Sequence, residues 1–405
     1  MLILAVLAIF TAHLGLALGG TVVTIDAGKR FQTLKQRRTL GVSQAFGAAS
    51  KFKALDPTPR QKGLGLLFNT TTGAGLSIIR NGIGSSKWSW DCIANTSPGS
   101  PDKPLDYHWD GVDSGQVWLS QEAMTYEVDT IYANAWSAPA YMKSAEHYGR
   151  LCGTRGVTCA SGDWQLRYAQ LITQYLTYYK EIGIPITHVG FLNEGDGSDF
   201  MLSAAEQAAD VIPILHKTLE SKGFSSVKIT CCDNIGWKSQ TVYTQKLAEL
   251  GADKYLSVIT SHAYSSDPKQ PMNTTLPTWM TEGSDLRNAF GTAWYSTGAL
   301  NEGFTWAVKI AEGIVNADLS AYVYWEGLEV NNAKSASHLI ESDGSKVTPS
   351  SALWALAHWS HYIRPGAQRL YTSDNAQDTI IGAFENVDES IVFGAHQCRQ
   401  RFPGC

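Results

Sequence analysis

The sequence predicts an α/β protein whose main body is a (β/α)8 TIM barrel, and three observations carry that reading. Eight apolar runs of strand length alternate with stretches of helical period. Seven of the eight runs end on Arg, Trp, Glu, Asp, His or Tyr. The length, 405 residues, holds one such barrel with a little left over.

In chain order the runs are VSQAF (ending at Phe46), LSIIR (76–80), TIYANAW (130–136), HVGFLN (188–193), VKITCC (227–232), SVITSHAY (257–264), PTWMTE (277–282) and AYVYW (321–325). Segments 163–182 and 203–221 are amphipathic helices between them. Strands apolar on both faces and separated by helices pair in parallel, and eight such units close into a barrel. A doubly wound open sheet would announce a Gly-rich turn after its first strand, and none is present. The polar strand ends are Arg80-Asn81, Trp136-Ser137, Asn193-Glu194, Asp233-Asn234, His262 with Tyr264, Glu282, and Trp325-Glu326. In a barrel these ends share one face, the face on which barrel active sites are built.

The chain ends read differently. Residues 1–19 resemble a secretory leader: a short apolar stretch finishing in small residues, with cleavage expected between Ala17 and Gly20. Residues 20–38 have strand character, 39–365 form the barrel, and 366–405 return to short strands. The two ends are expected to pair as a partial, apparently truncated side β-structure. Asn69, Asn95 and Asn273 each open an N-glycosylation triplet, in keeping with a secreted, extracellular protein. Of seven cysteines, Cys152 and Cys159 are placed to close a small disulfide loop, while Cys231 and Cys232 read as buried thiols. No His/Cys group has zinc spacing, so neither a metal nor another cofactor is expected. The net charge of −5 offers no footprint for nucleic acid or an anionic membrane, and a monomer is expected. Thirteen Trp and seventeen Tyr suit a ligand that is half apolar and half hydroxyl, such as a polysaccharide.

Glycosidic bonds are broken by two carboxyl groups, about 5–5.5 Å apart when the product retains its configuration. FLNE and MTE each place a Glu at a strand end, Glu194 on the fourth strand and Glu282 on the seventh, so that they face one another across the mouth. Asn193 is placed to hydrogen-bond a sugar hydroxyl. Tyr264 and Arg80 are placed to hold Glu282 ionised as nucleophile, which leaves Glu194 as the general acid/base. Trp136 and Trp325 can stack on sugar rings. His262 either contacts substrate or braces its strand end, and Lys143 is either a substrate contact or a solvated lysine.

The runs GVSQAFG, TTTGAGLSIIRNGIGSS, VWLSQEAM, IYANAWSAPAYMK, VGFLNE and WMTEG resemble glycoside hydrolase family 30, in its fungal, xylanase-bearing branch, over roughly residues 40–365. The resemblance implies a clan A barrel with a side β-domain and a retaining mechanism. It puts the acid/base on Glu194 and the nucleophile on Glu282. Three features depart from it. KQRRTL (35–40) stands where the family has a short glycine turn. The family's side domain continues beyond the point where this chain stops. AFGAAS (45–50) lacks the Arg of glucuronate-specific members. The resemblance implies hydrolysis of plant xylan first, of another β-linked glycan such as β-1,6-glucan or a glucosylceramide second, and an inactive sugar-binding relative third.

Overall fold

The computed structural model describes residues 13–18, 21–30, 39–84, 92–146, 148–197, 200–374 and 379–397. Most of the leader-like segment, the basic stretch 35–38 and the tail from residue 398 lie outside the described residues.

Two strands, β1 (His13–Leu18) and β2 (Thr21–Arg30), pair antiparallel before the barrel begins. The barrel strands are β3 (Thr39–Ser43), β4 (Ile78–Ile83), β5 (Thr130–Ala135), β6 (His188–Gly190), β7 (Lys228–Asn234), β8 (Val258–His262), β9 (Thr278–Glu282) and β10 (Ala321–Trp325). All pair in parallel and close in the order β10-β3-β4-β5-β6-β7-β8-β9. Each of the eight predicted runs contributes one strand. A small sheet of β11 (Leu328–Val330), β12 (Ile340–Ser342) and β13 (Val347–Pro349) follows. The chain then returns through β14 (Gln368–Asp374), β15 (Thr379–Glu385) and β16 (Ile391–Gln397).

These last three strands join β1 and β2 in one sheet, ordered β1-β2-β14-β15-β16, so both chain ends do build the side β-structure. It docks on the barrel through apolar contact, with Phe384 edge-on to Trp359 at 6.0 Å. Arg369 Nη1 adds a hydrogen bond to the Val315 carbonyl at 2.7 Å.

Helices α1 (Gly47–Lys53), α2 (Pro57–Phe68), α3 (Gln116–Thr125), α4 (Gln165–Glu181), α5 (Ala205–Ser221), α6 (Trp237–Glu249), α7 (Gly303–Ala311) and α8 (Ser351–Ser360) wrap the strands. In α4, Tyr168, Leu171, Ile172, Tyr175, Leu176 and Tyr179 recur at helical spacing and are all buried. Each such side chain contributes about 1.5–3 kcal/mol by leaving water. Helix α2 starts on Pro57, where a missing N–H costs nothing, and α8 is capped by Ser350 Oγ accepting from Leu353 N at 3.1 Å. Alternate strand residues Ile78, Tyr132, Val258, Trp279, Ala321 and Val323 form a second core inside the barrel.

Several strand boundaries differ from the predicted runs, and two of them shape the mouth of the barrel. β3 begins at Thr39, upstream of VSQAF, and the rest of that run is a turn. Gln44 there exchanges two hydrogen bonds of 2.7 Å with the Leu328 backbone, tying the barrel's first strand to β11. Phe46, in the left-handed region (φ 54°), then swings over Gly82, where a Cβ would lie 2.4 Å from its ring. β4 runs on past Arg80 to Ile83 because Gly82 leaves that space. The structure joins Cys152 to Cys159 as expected, but it also joins Cys231 to Cys232, where buried thiols were expected. Cys92 is the free, buried cysteine among the described residues.

Candidate active site

The polar strand ends converge at the C-terminal mouth of the barrel. Arg80 projects from β4, Asn193 and Glu194 follow β6, and Asp233 lies near the end of β7. His262 and Glu282 are the last residues of β8 and β9, and they pair in register. Above them opens a cavity of about 480 Å³ whose wall includes Trp136, Asn193, Glu194, Tyr264, Glu282 and Trp325.

Arg80 is completely buried beneath the cavity floor. Its Nη1 donates to Glu282 Oε2, and its Nη2 to Asn193 Oδ1 (2.7 Å) and Asp233 Oδ2 (3.1 Å). The guanidinium lies 4.4 Å from the Trp136 ring centre. Burial opposes its charge, but Glu282, Asp233 and Tyr132 outweigh burial and hold it firmly protonated. Tyr264 donates to Glu282 Oε1 at 2.9 Å, so both oxygens of Glu282 are engaged as expected. Asn193 spends its oxygen on Arg80, which leaves its amide N–H groups for the cavity.

His262 is also completely buried, and its Nδ1 lies 2.9 Å from Glu194 Oε1. Its Nε2 faces Glu282 Oε2 at 3.7 Å and Asp233 Oδ2 at 3.9 Å. Burial works against the charge, yet Glu282, Asp233 and Glu194 push its pKa up to about 10. At neutral pH it is therefore an imidazolium that donates to Glu194. Of the two roles open to His262, the geometry favours bracing, and Arg80 likewise reaches the cavity only through its partners. Lys143 is neither a wall residue nor solvated: it is buried, donates to Ser137 Oγ at 2.8 Å, and burial brings its pKa down to about 8 against the opposing pull of Glu146. Trp136 and Trp325 sit 5.8 Å apart on the wall.

Asp233 was visible only as a polar strand end, yet it organises the floor. Besides Arg80, it accepts from Tyr132 Oη at 2.6 Å and Thr281 Oγ1 at 2.5 Å, and Glu194 N–H donates to its backbone carbonyl at 2.8 Å. Burial alone would raise its pKa, but Arg80, His262 and Thr281 hold it well below the usual carboxylate range. An Asp at the end of an otherwise apolar run was the available signal, since a buried carboxylate needs a buried cation. Gly190 is required nearby, because a Cβ there would meet Asn134 Oδ1 at 2.0 Å.

This network makes stability pH-dependent in a defined direction. Asp233, depressed, contributes stability above the ordinary carboxylate pKa and loses it as pH falls further. His262, raised, contributes fully below about 6.5 and loses its contribution as pH rises through about 10. Stability is expected to peak in mildly acidic buffer, and Asp233→Ala should cost about 3–5 kcal/mol by leaving Arg80 and His262 underpaired. Chemical denaturation across pH checks both; a loss under 1 kcal/mol would show that the floor is not an ionic network.

Among the described residues, Glu194, His262 and Glu282 form the one group of potential metal ligands that is close enough, with ligand atoms within 4.8 Å of one another. Arg80 and the His262 charge already balance these carboxylates, and a cation would have to displace that balance.

A closed barrel with paired carboxylates at its mouth defines a class, and the comparisons agree with it: the chain is a glycoside hydrolase. Residues 39–363 match the family model described as Glycosyl hydrolase family 59. The catalytic domain of a family 30 xylanase C from Talaromyces cellulolyticus is 44% identical, with a TM-score of 0.87, over 92% of this chain and 86% of that one. A protein named for glucosylceramidase 2 in Caenorhabditis elegans is 26% identical over 92% of this chain and 76% of its own length. Galactocerebrosidase of Macaca mulatta is 25% identical over 88% of this chain, which spans about half (47%) of that relative. The family 59 match covers the barrel, whereas the 44% identity extends over more of the chain, so the chain belongs to glycoside hydrolase family 30 of clan A, within reach of the family 59 model.

Proposed function

We propose that the chain is a retaining endo-β-1,4-xylanase of the fungal branch, with Glu282 as nucleophile and Glu194 as acid/base. The observation that carries the reading is the closeness of the two carboxyl groups, whose nearest oxygens lie within 4.8 Å. An inverting pair stands about 6.5–9.5 Å apart to admit a water. In the first step Glu282 attacks the anomeric carbon as the glycosidic C–O bond breaks, and Glu194 gives its proton to the departing oxygen. In the second, water attacks the anomeric carbon, Glu194 takes its proton, and the Glu282 ester bond breaks. Asn193 donates to the sugar's 2-hydroxyl, and Trp136 and Trp325 carry the ring faces. The 44% identity to a xylanase supports xylan as the substrate.

A second reading, a β-glycosidase with an apolar leaving group, is favoured by Leu286 and Leu300, which line the mouth while 59% and 40% exposed. Incubation with xylan, β-1,6-glucan and glucosylceramide separates the two. Release of xylo-oligosaccharides is expected; turnover of the lipid alone would overturn the xylanase reading.

Secretion as a monomeric glycoprotein belongs to the same proposal. Asn95 and Asn273 are exposed and Asn69 half-buried, and the Cys152–Cys159 bond suits an oxidising compartment. No described helix is long and apolar enough to cross a membrane. Leader cleavage near residue 20 would remove β1, an edge strand, and leave β2 paired to β14.

A further inference from the structure

The outer wall of the barrel carries an aromatic patch that the reaction does not use. Among the described residues, the exposed Trp side chains are Trp294 (41%) and Trp354 (38%). They lie on either side of one histidine. The Trp294 ring stands 5.3 Å from that of His358, and Trp354 precedes His358 by four residues on the same face of α8. Trp354 and His358 are the only exposed residues of α8. A helix on an outer wall normally turns charged side chains to water. Residues 351–360 contain no Asp, Glu, Lys or Arg, and neither do residues 288–301, which carry Trp294. Burial lowers the His358 pKa, so its ring is neutral at pH 7 as well.

The patch is continuous with the mouth. The segment joining β9 to α7 lines the cavity with Asp285, Leu286, Arg287 and Leu300, and Trp294 lies between them in sequence. Barrel helices run back from the mouth, so their first residues sit on its rim. Trp294 packs there. A Cβ on Gly303, the first residue of α7, would lie 2.6 Å from its ring and 2.9 Å from Cβ of Ser351, the first residue of α8. Phe304 N donates to the Trp294 carbonyl at 2.7 Å and fixes the backbone. An uncharged aromatic surface offers no cation to phosphates, whereas it suits the apolar faces of sugar rings. A glycan chain that leaves the mouth past Leu300 reaches it.

We propose that Trp294, Trp354 and His358 form a second glycan-binding surface, which takes an uncharged stretch of the polysaccharide remote from the bond being cut. The inference rests on the reading above for the identity of the glycan and adds a site outside the cavity.

Retention on insoluble xylan is measured with the full-length Glu282→Gln enzyme, which leaves the polymer intact. Adding Trp294→Ala or Trp354→Ala is expected to weaken retention by about two- to tenfold, the scale of one aromatic contact. Trp354→Phe, which keeps a ring, should recover most of the loss. With Glu282 in place, the same alanine variants should lower kcat/KM on insoluble xylan and leave it unchanged on a soluble aryl xyloside. Alanine variants retained as well as their parent would overturn the proposal. So would a dimer in sedimentation that Trp354→Ala dissolves, since the patch would then join copies of the chain. If Trp294→Ala slows the aryl xyloside by shifting its loop, Trp354→Ala decides alone. An enzyme that ignores xylan but cleaves another polysaccharide would sink the xylanase reading only, and retention is then read on that polysaccharide. Turnover of a glycolipid alone would sink both.

Discussion

Glu282→Gln is expected to fold normally and to lose turnover by a factor on the order of 10⁴ or more, because the amide cannot form the glycosyl ester. The substitution keeps the side chain's size, and its carbonyl still accepts from Arg80 or Tyr264. Arg80 also keeps Asp233 as a counter-ion, so the melting temperature should move little. In the wild type, a fluoro-sugar that forms a slow glycosyl ester should label Glu282, read by peptide mass mapping. A label on Glu194 or Glu326 would sink the assignment, as would residual turnover in the variant at a tenth of wild type.

Glu194→Ala is expected to divide substrates by leaving group. Xylan and alkyl glycosides, whose leaving oxygen needs a proton, should lose about 10²–10⁴ in rate, whereas an activated aryl glycoside should lose far less in its first step. The second step then stalls for lack of a base, and azide, which needs no deprotonation, should restore turnover with the activated substrate and yield the retained glycosyl azide. Equal losses on both substrate types, with no azide effect, would remove Glu194 from the acid/base role. His262 gives an independent check. It holds Glu194 from behind, so His262→Gln should disturb the alkaline limb of the pH profile, where a general acid loses its proton, more than it disturbs KM.

The barrel was legible because its strands are buried on both faces and announce themselves as unbroken apolar runs, each closed by a polar residue. The same feature exposed Glu194, Glu282, Arg80 and Tyr264, strand-end residues whose side chains meet in space. What stayed hidden depends on contacts between runs. Asp233 sits in a run like any other; only the arrival of Arg80, Tyr132 and Thr281 from three different strands makes it the centre of the floor. His262 was ambiguous because a strand-end histidine gives no sign of whether it will face the cavity or lie beneath it. The small sheet β11–β13 escaped notice because three-residue strands have too little periodicity to register. The extent of β3 was misjudged because Ala45 and Phe46 continue its apolar pattern while serving as a turn, and Phe46 adopts a backbone angle that sequence pattern does not encode.

The seam at which the barrel closes also sets a clock for its birth. β3 pairs with β10, and Gln44 bonds to Leu328, a partner 284 residues away in sequence. Until that partner is made, one edge of β3 has nothing to bind. At ribosomal speeds of about 5–20 residues per second, the interval is roughly 15–60 s, far longer than helix formation or local collapse. During that wait the nascent chain carries an open, apolar strand edge, and a chaperone that covers such edges would decide the yield of finished enzyme more than any single contact within it.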